Sequence, residues 1–134
     1  MIIAGEASGD LQGAVLSAGL IKAMPDAEII GVGGRRMLES GVHMIEDSSS
    51  WSAIGINEAI KLIPKLLASM KRIKSYIGKN PPDLLIPIDF GAFNVRLCKS
   101  LKASDIKILY YFPPGSWKRN ADYSSLKGLA NKIV

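Results

Sequence analysis

The sequence is poor in the residues that bind metals or form disulfides. Its 134 residues contain one cysteine, Cys98, and one histidine, His43. A single cysteine excludes an intrachain disulfide and a cysteine-rich zinc site, and a single histidine removes most other metal centres. No apolar run approaches the ~18 residues of a membrane span, and no basic-then-apolar leader opens the chain. We therefore expect a soluble, cytoplasmic protein without a metal site.

Several binding signatures are also missing. Gly31-Val32-Gly33-Gly34-Arg35-Arg36 lacks the last glycine of the dinucleotide fingerprint G-x-G-x-x-G, and the chain has no phosphate-loop G-K-[S/T] motif. A nicotinamide enzyme and a P-loop kinase are thus disfavoured, and no cofactor is expected. Aromatic residues make up 7% of the chain and do not interleave with basic ones. Stacking platforms for nucleic acid are therefore not predicted.

Charge is distributed unevenly along the chain. Residues 1–50 carry three basic and seven acidic side chains, whereas residues 51–134 carry fourteen basic and five acidic ones, for a net charge of +5. A basic half favours an anionic partner such as phosphate or an acidic lipid, but a solvated lysine-rich face has the same composition. Composition alone leaves both interpretations open.

Apolar strand-like runs alternate with helical patterns. The predicted strands are Ile2–Ala4, Glu28–Val32, Val42–Ile45, Asp83–Ile88, Ile106–Tyr110 and Lys132–Val134. The predicted helices are Leu11–Met24, Arg35–Ser40, Asn57–Gly78 and Asn94–Lys102. This alternation with buried strands predicts an α/β fold, a doubly wound parallel sheet covered on both faces. From the abrupt first and last strands we expect that the chain is a fragment, or that it is missing its second domain.

The helix Asn57–Gly78 has a particular pattern. Pro64 lies inside it and is expected to kink or restart it. Its apolar stripe consists of Ile60, Ile63, Leu66, Leu67, Met70, Ile73 and Ile77, and Lys61, Lys65, Lys71, Arg72 and Lys74 flank it. Such a stripe is either core or, in a basic amphipathic helix, a surface that rests on an acidic membrane.

Candidate chemistry lies where strands end. In a sheet of order 3-2-1-4-5, strands 1 and 4 are neighbours at the switch point where ligands bind. The loops after them carry Glu6 with Asp10, and Asp89 with Asn94. These groups fit a general base with an orienting partner, although Asp10 or Ser8 could simply cap the first helix. Asp89 follows an apolar strand, so its carboxylate needs a hydrogen-bond or charged partner, or a functional role, at the edge of the apolar interior.

A series of motifs in a fixed order covers nearly the whole chain. The first block is Gly5-Glu6-Ala7-Ser8-Gly9-Asp10, and the later ones include Gly31-Val32-Gly33-Gly34 and Ile54-Gly55-Ile56-Asn57-Glu58. The series ends with Ile88-Asp89, Phe93-Asn94, and Tyr111 with Pro114 and Trp117. These motifs, taken in order, resemble those of the lipid-A-disaccharide synthase family, and the resemblance covers only the amino-terminal half of that family.

The resemblance implies a fold and a reaction. The family consists of inverting glycosyltransferases of the two-domain GT-B type. They join a UDP-linked diacylglucosamine to diacylglucosamine 1-phosphate at the cytoplasmic face of the inner membrane, in lipid A biosynthesis, and release UDP. Residues 1–134 would be the Rossmann-like, acceptor-binding domain, and the absent carboxyl-terminal domain would bind UDP. This chain alone would then be inactive.

The resemblance also implies site residues. Asp89 matches the family's essential aspartate and is the predicted catalytic base. Glu6, Ser8, Gly9 and Asp10 match the first signature, and Asn94 and Trp117 match later ones, so they are predicted to bind substrate.

Two loops depart from the family pattern. Phe90-Gly91-Ala92 stand where the family commonly has Ala-Pro-Asp, so a second acid is lost. The segment Pro113–Asn120 lacks one of two tryptophans, and its arginine is shifted by one position. A different lipid or sugar acceptor is therefore an open alternative. Two further hypotheses for the function are a non-catalytic lipid- or phosphate-binding module and a related sugar-nucleotide enzyme such as an epimerase.

Overall fold

The computed structural model describes residues 1–51, 56–111 and 128–134. The strands are β1 (Ile2–Ala4), β2 (Ile30–Gly33), β3 (His43–Asp47), β4 (Leu84–Ile88), β5 (Lys107–Tyr110) and β6 (Lys132–Ile133). The helices are α1 (Ala7–Ala23), α2 (Arg35–Glu39), α3 (Ile56–Lys79) and α4 (Gly91–Ser100). Every strand and helix predicted from the sequence within these ranges is present, with ends that differ by a few residues.

All six strands form one parallel sheet in the order β3-β2-β1-β4-β5-β6. The predicted fold class is confirmed: the chain is a Rossmann-like α/β domain with helices on both sides. β1 lies beside β4 with Ala4 opposite Ile88, so the last residues of these strands meet at the same edge. The chain runs outward from β1 in one direction and from β4 in the other, which makes their carboxyl ends the switch point.

The two faces of the sheet bury different side chains, because successive strand residues point to opposite faces. Ile2, Ala4, Ile86 and Ile88 pack with Met37 on one face. On the other face Ile3 and Leu85 pack with α3 and α4 through Met70, Ile73, Ile77, Phe93 and Leu97. β1 and β4 therefore contribute to both cores, as expected for parallel strands covered on both sides.

The apolar residues Leu11 and Val15 do not lie on the buried face of α1. Leu11 and Val15 are 43% and 66% exposed. The buried residues of α1 are Gly9, Asp10, Gly13 and Ser17. The reason is steric: a Cβ on Gly13 would lie 2.6 Å from the Met37 sulfur. Small residues therefore let α1 approach α2 and the sheet closely, whereas Leu11 and Val15 face outward.

α3 is one helix with Pro64 inside it, so the expected restart at Pro64 is wrong. The apolar stripe divides into a buried part and an exposed part. Met70, Ile73 and Ile77 are buried in the core. The outer face of α3, defined by Ile60, Ile63, Leu67, Lys71 and Lys74, is exposed. The amino-terminal half of this outer face is therefore apolar, and the carboxyl-terminal half is basic.

The single histidine, His43, is exposed at the start of β3. The single cysteine, Cys98, is fully buried on α4, where burial raises the pKa of its thiol to about 11. The segment Pro113–Asn120 lies outside the described residues. Among the helices that the structure describes, none is long and apolar enough to cross a membrane.

Candidate functional site

The carboxyl ends of β1 and β4 bring together two sequence-predicted loops. Gly5 and Glu6 follow β1, and Asp89 and Phe90 follow β4. The loops are in direct contact, since a Cβ on Gly5 would lie 2.2 to 2.7 Å from atoms of the Phe90 ring. Glycine at position 5 is therefore required for Phe90 to lie across the end of β1. This contact places Asp89 beside the switch point of the sheet.

The turn that carries Asp89 has an unusual backbone. Asp89 and Phe90 have φ angles of 45° and 47°, which lie in the left-handed region that residues other than glycine rarely adopt. Each such residue costs about 1–3 kcal/mol and persists only where its surroundings hold it. Strain of this kind concentrates at functional sites. The turn leaves the Asp89 side chain half-buried at the edge of the apolar interior.

Two buried side chains donate hydrogen bonds to the backbone of this turn. The carbonyl oxygen of Asp89 accepts a hydrogen bond from the Tyr110 hydroxyl at 2.7 Å and from the Asn94 Nδ2 at 2.9 Å. The same Asn94 nitrogen also donates to the carbonyl oxygen of Ile88 at 3.2 Å. Tyr110 and Asn94 are both fully buried. The Asp89 peptide is thus fixed by donors from α4 and from the neighbouring strand β5.

Phe90 of this turn belongs to an aromatic cluster. The ring centroids of Phe90 and Phe93 lie 5.6 Å apart, and Trp51 lies 5.8 Å from Phe90 and 4.9 Å from Phe93. These are ordinary separations for attractive aromatic pairs. Trp51 is 1% exposed. The cluster therefore anchors the left-handed turn in the core, and Phe90 is part of it although it departs from the family pattern.

Asp10 has a structural partner that the sequence did not indicate. Its carboxylate accepts hydrogen bonds from the backbone nitrogens of Gly34 (2.7 Å), Arg36 (3.1 Å) and Met37 (3.1 Å). These are the unpaired N–H groups at the start of α2, where a negative charge is favoured. The expected alternative, a cap on the first helix, is wrong for Asp10: it lies within the first turn of α1 and caps α2 instead.

Ser8 also lies within that first turn rather than at its cap. The cap residue of α1 is Glu6, whose side chain makes no capping bond. Ser8 is exposed, and Gly9 is buried where an added Cβ would lie 3.3 Å from the Ala4 Cβ. Gly9 thus lets α1 pack closely on β1. Contact of either residue with substrate stays a prediction.

A cleft of about 420 Å³ opens on the β1–β2–β3 side of the same edge. It is lined by Glu6, Ala7, Asp10, Gly34, Arg35, Arg36, Glu39, Ser48 and Ser49. Glu6 is exposed and thus available to a ligand, whereas Arg35 is paired with Glu39 at 2.6 Å. Asp89 does not line this cleft. The structure therefore brings Glu6 and Asp10 to one cleft, with Asp89 and Asn94 at the adjoining turn.

Trp117, the remaining predicted binding residue, lies outside the described residues. Among those that are described, no group of three or more His, Cys, Asp or Glu side chains is placed to hold a metal ion.

Sequence reasoning missed two residues at this edge. Tyr110 ends β5 and supports Asp89 through its hydroxyl. Ser48 follows β3, is 3% exposed, and donates to the Ala4 carbonyl oxygen at 2.7 Å. The signal available for both was position alone: each polar group stands at the carboxyl end of a strand, as Asp89 does.

The fold and this edge together define a Rossmann-like domain with an aspartate, Asp89, held by buried hydrogen bonds at the switch point of its sheet. A comparison with protein families then identifies it further. Residues 1–126 match the family model described as lipid-A-disaccharide synthetase. The chain belongs to that family.

Individual relatives agree with this assignment. A lipid-A-disaccharide synthase of Trichlorobacter lovleyi is 41% identical over 135 residues, covering 100% of this chain and 35% of the relative. That of Coxiella burnetii strain Dugway is 38% identical over 117 residues, covering 87% of the chain and 31% of the relative. That of Geobacter sulfurreducens is 41% identical over 117 residues. The chain spans about a third of the length of the curated relatives it matches.

Proposed function

We propose that the protein carrying this chain is an inverting glycosyltransferase. It transfers diacylglucosamine from its UDP-linked form to the sugar hydroxyl of diacylglucosamine 1-phosphate, giving the disaccharide 1-phosphate of lipid A biosynthesis and UDP. The observation that carries the proposal is Asp89. A member of this family presents that carboxylate on a strained, supported turn at the switch point of the sheet.

In this proposal Asp89 is the general base. An inverting transfer needs a group that takes the proton from the acceptor hydroxyl as its oxygen attacks the anomeric carbon and the bond to UDP breaks. A half-buried carboxylate at the edge of an apolar interior has the chemistry for this step. Its neighbour across the β1 loop, exposed Glu6, is suited to position the acceptor through hydroxyl groups of the sugar.

The binding of the acceptor and the binding of UDP are divided between two domains. Residues 1–134 form the acceptor-binding half, and a carboxyl-terminal domain of the full-length protein binds UDP. The support is that the chain covers only 35% of its Trichlorobacter relative. Ser8, Gly9, Asp10, Asn94 and Trp117 are proposed to shape or contact the acceptor site. For Asp10 this action would be indirect, because its oxygens are already bonded to the start of α2. Asn94 would also act indirectly, because its side chain is fully buried and its Nδ2 donates to the backbone of Ile88 and Asp89.

We further propose that the outer face of α3 docks on an anionic membrane, the cytoplasmic face of the inner membrane. Ile60, Ile63 and Leu67 are 59%, 51% and 48% exposed. Their spacing places them on one side of the helix, with Lys71 and Lys74 following on the same side. Such a surface buries apolar side chains at the lipid boundary and attracts acidic headgroups. Acylated substrates would be drawn from the same surface.

The test is a transfer assay on the full-length protein with UDP-diacylglucosamine and diacylglucosamine 1-phosphate. The expected products are UDP and a disaccharide 1-phosphate whose new linkage is β, as NMR of the anomeric proton would show. Because the turn after Asp89 carries Phe90-Gly91-Ala92, a set of acylated sugar acceptors should be compared in the same assay. Binding of acylated sugars without turnover of any of them would favour a non-catalytic module instead.

A further inference from the structure

Three structural features meet at a single peptide group, the one that follows Asp89. The backbone of Asp89 is in the left-handed region, and its carbonyl oxygen accepts hydrogen bonds from two buried side chains. The Oδ1 of Asn94, one of these two side chains, is buried without a hydrogen-bond partner. An unpaired buried acceptor is rare in a folded protein and marks a place where another requirement outweighs its cost. The requirement visible here is the conformation of the turn.

Tyr110 is the donor that reaches this turn from outside its own segment. Asn94 lies only five residues beyond Asp89, whereas Tyr110 comes from β5, 21 residues along the chain. Its hydroxyl therefore ties the turn to the sheet itself. Burial, the nearby Cys98 and the Asp89 carboxylate all raise the pKa of Tyr110, so the phenol keeps its proton at neutral pH and remains a donor.

We infer that Tyr110 is a positioning residue of the transfer reaction, a role that rests on the function proposed above. By holding the Asp89 carbonyl, it fixes the backbone from which the Asp89 carboxylate projects toward the acceptor hydroxyl. Tyr110 itself touches neither substrate. A general base must lie within hydrogen-bond reach of its proton, and a misplacement of about 1 Å can cost about 100-fold in rate.

The test compares two hydroxyl deletions in the full-length protein. Tyr110→Phe removes only the oxygen that reaches Asp89. Tyr76→Phe is the matched control, because Tyr76 lies on α3 near Met1 and Leu84, at the opposite ends of the strands. For Tyr110→Phe we expect kcat to fall by about 10- to 100-fold with KM for the acceptor and UDP affinity unchanged. Tyr76→Phe should retain wild-type kcat.

A double mutant separates positioning from general stability. If Tyr110 acts through Asp89, adding Tyr110→Phe to Asp89→Asn should lower kcat no further, because the base it positions is already gone. Additive losses would overturn the inference, and so would a folded Tyr110→Phe protein with wild-type kcat or with a raised KM alone. A wild-type protein without transferase activity would overturn the proposed function and this inference together.

Asn94→Ala provides a second variant in case Tyr110→Phe does not fold. It removes the other hydrogen bond to the same carbonyl oxygen. Positioning predicts a lower kcat at unchanged KM, with folding checked by circular dichroism. A normal kcat in folded Asn94→Ala, or an effect confined to KM, would contradict positioning of Asp89 through its carbonyl.

Discussion

The carboxylate of Asp10 lies 2.7 Å from the backbone nitrogen of Gly34 and joins the first βα unit to the second. The contact leaves no room at Gly34, where an added Cβ would lie 2.9 Å from the Asp10 Oδ2. Asp10 is 7% exposed. A residue of the signature segment 5–10 is therefore the cap of α2, and its first role is to fix the wall of the cleft beside Glu6.

Asp10→Ala should lower the free energy of unfolding by about 2–3 kcal/mol. The change removes a charged acceptor from three backbone N–H groups, two of which lie in buried contacts. Urea denaturation of the full-length protein measures the effect. Asp26→Ala, at an exposed position after α1, should stay within about 0.5 kcal/mol. Equal stability of the Asp10 variant and wild type would refute the capping role.

Gly5→Ala should destabilise the protein by about 1–3 kcal/mol and impair transfer, because the new methyl group displaces the Phe90 ring and with it the turn of Asp89. Because Phe90→Ala removes the ring that the new methyl group would meet, Gly5→Ala should destabilise the Phe90→Ala protein less than it destabilises wild type. Gly19→Ala is the control, since nothing lies within 4 Å of a Cβ on this mid-helix residue. That control should stabilise α1 by about 0.5–1 kcal/mol. An equal cost of Gly5→Ala in the wild-type and Phe90→Ala proteins would contradict the steric explanation.

Ile63→Asp on the outer face of α3 should weaken sedimentation with anionic vesicles. The reason is that a charge replaces one of the three exposed apolar side chains. Val15→Asp is the matched control, because Val15 is 66% exposed on a different helix. Lys71→Glu should weaken binding several-fold on anionic vesicles only, and salt should reduce that difference. Identical binding of wild type and Ile63→Asp would rule out this face as the docking surface.

The ion pair between Glu46 and Arg72 should make stability depend on pH in the acid range. Arg72 Nε donates to Glu46 Oε2 at 2.9 Å, and Ser69 donates to the same carboxylate at 2.7 Å. Arg72 and then Ser69 lower the pKa of Glu46 below its usual value of 4.5. The pair thus stabilises the protein above that value, and the contribution is lost as pH falls through the lowered pKa.

The corresponding experiment measures unfolding midpoints of wild type and Arg72→Leu between pH 7 and pH 3. The wild-type advantage should be full at neutral pH and should shrink toward pH 3. Arg35→Leu serves as a control, because its pair with Glu39 lies on the surface with both side chains more than half exposed. An Arg72 effect that is constant across this range would exclude a contribution from Glu46 ionisation.

Local patterns in the sequence were enough to predict the sheet and the place of Asp89. The run Leu84–Ile88 is apolar and ends at a carboxylate, so strand and edge position follow from neighbours in the chain. The partner of Asp10 could not be predicted in this way, because its N–H groups lie 24 to 27 residues further on. The outward position of Val15 likewise depends on how closely Gly13 approaches Met37.

The support of Asp89 by Tyr110 was also beyond the reach of sequence patterns. It depends on a left-handed backbone at Asp89 and Phe90, and neither residue is one that favours this conformation as glycine does. The conformation is stabilised by tertiary contacts: the Tyr110 hydroxyl, the Asn94 amide and the aromatic cluster around Phe90. Such contacts become visible only when strands and helices have been placed.

The most direct test of the account is the turnover of Asp89→Asn in the full-length protein. If Asp89 takes the proton of the acceptor hydroxyl, kcat should fall by at least about 100-fold while folding and UDP affinity stay near wild type. Asp83→Asn, at the opposite end of β4, should leave kcat unchanged, and Glu6→Gln should cost less than Asp89→Asn. A folded Asp89→Asn protein with near wild-type turnover would contradict the assignment of Asp89 as the base.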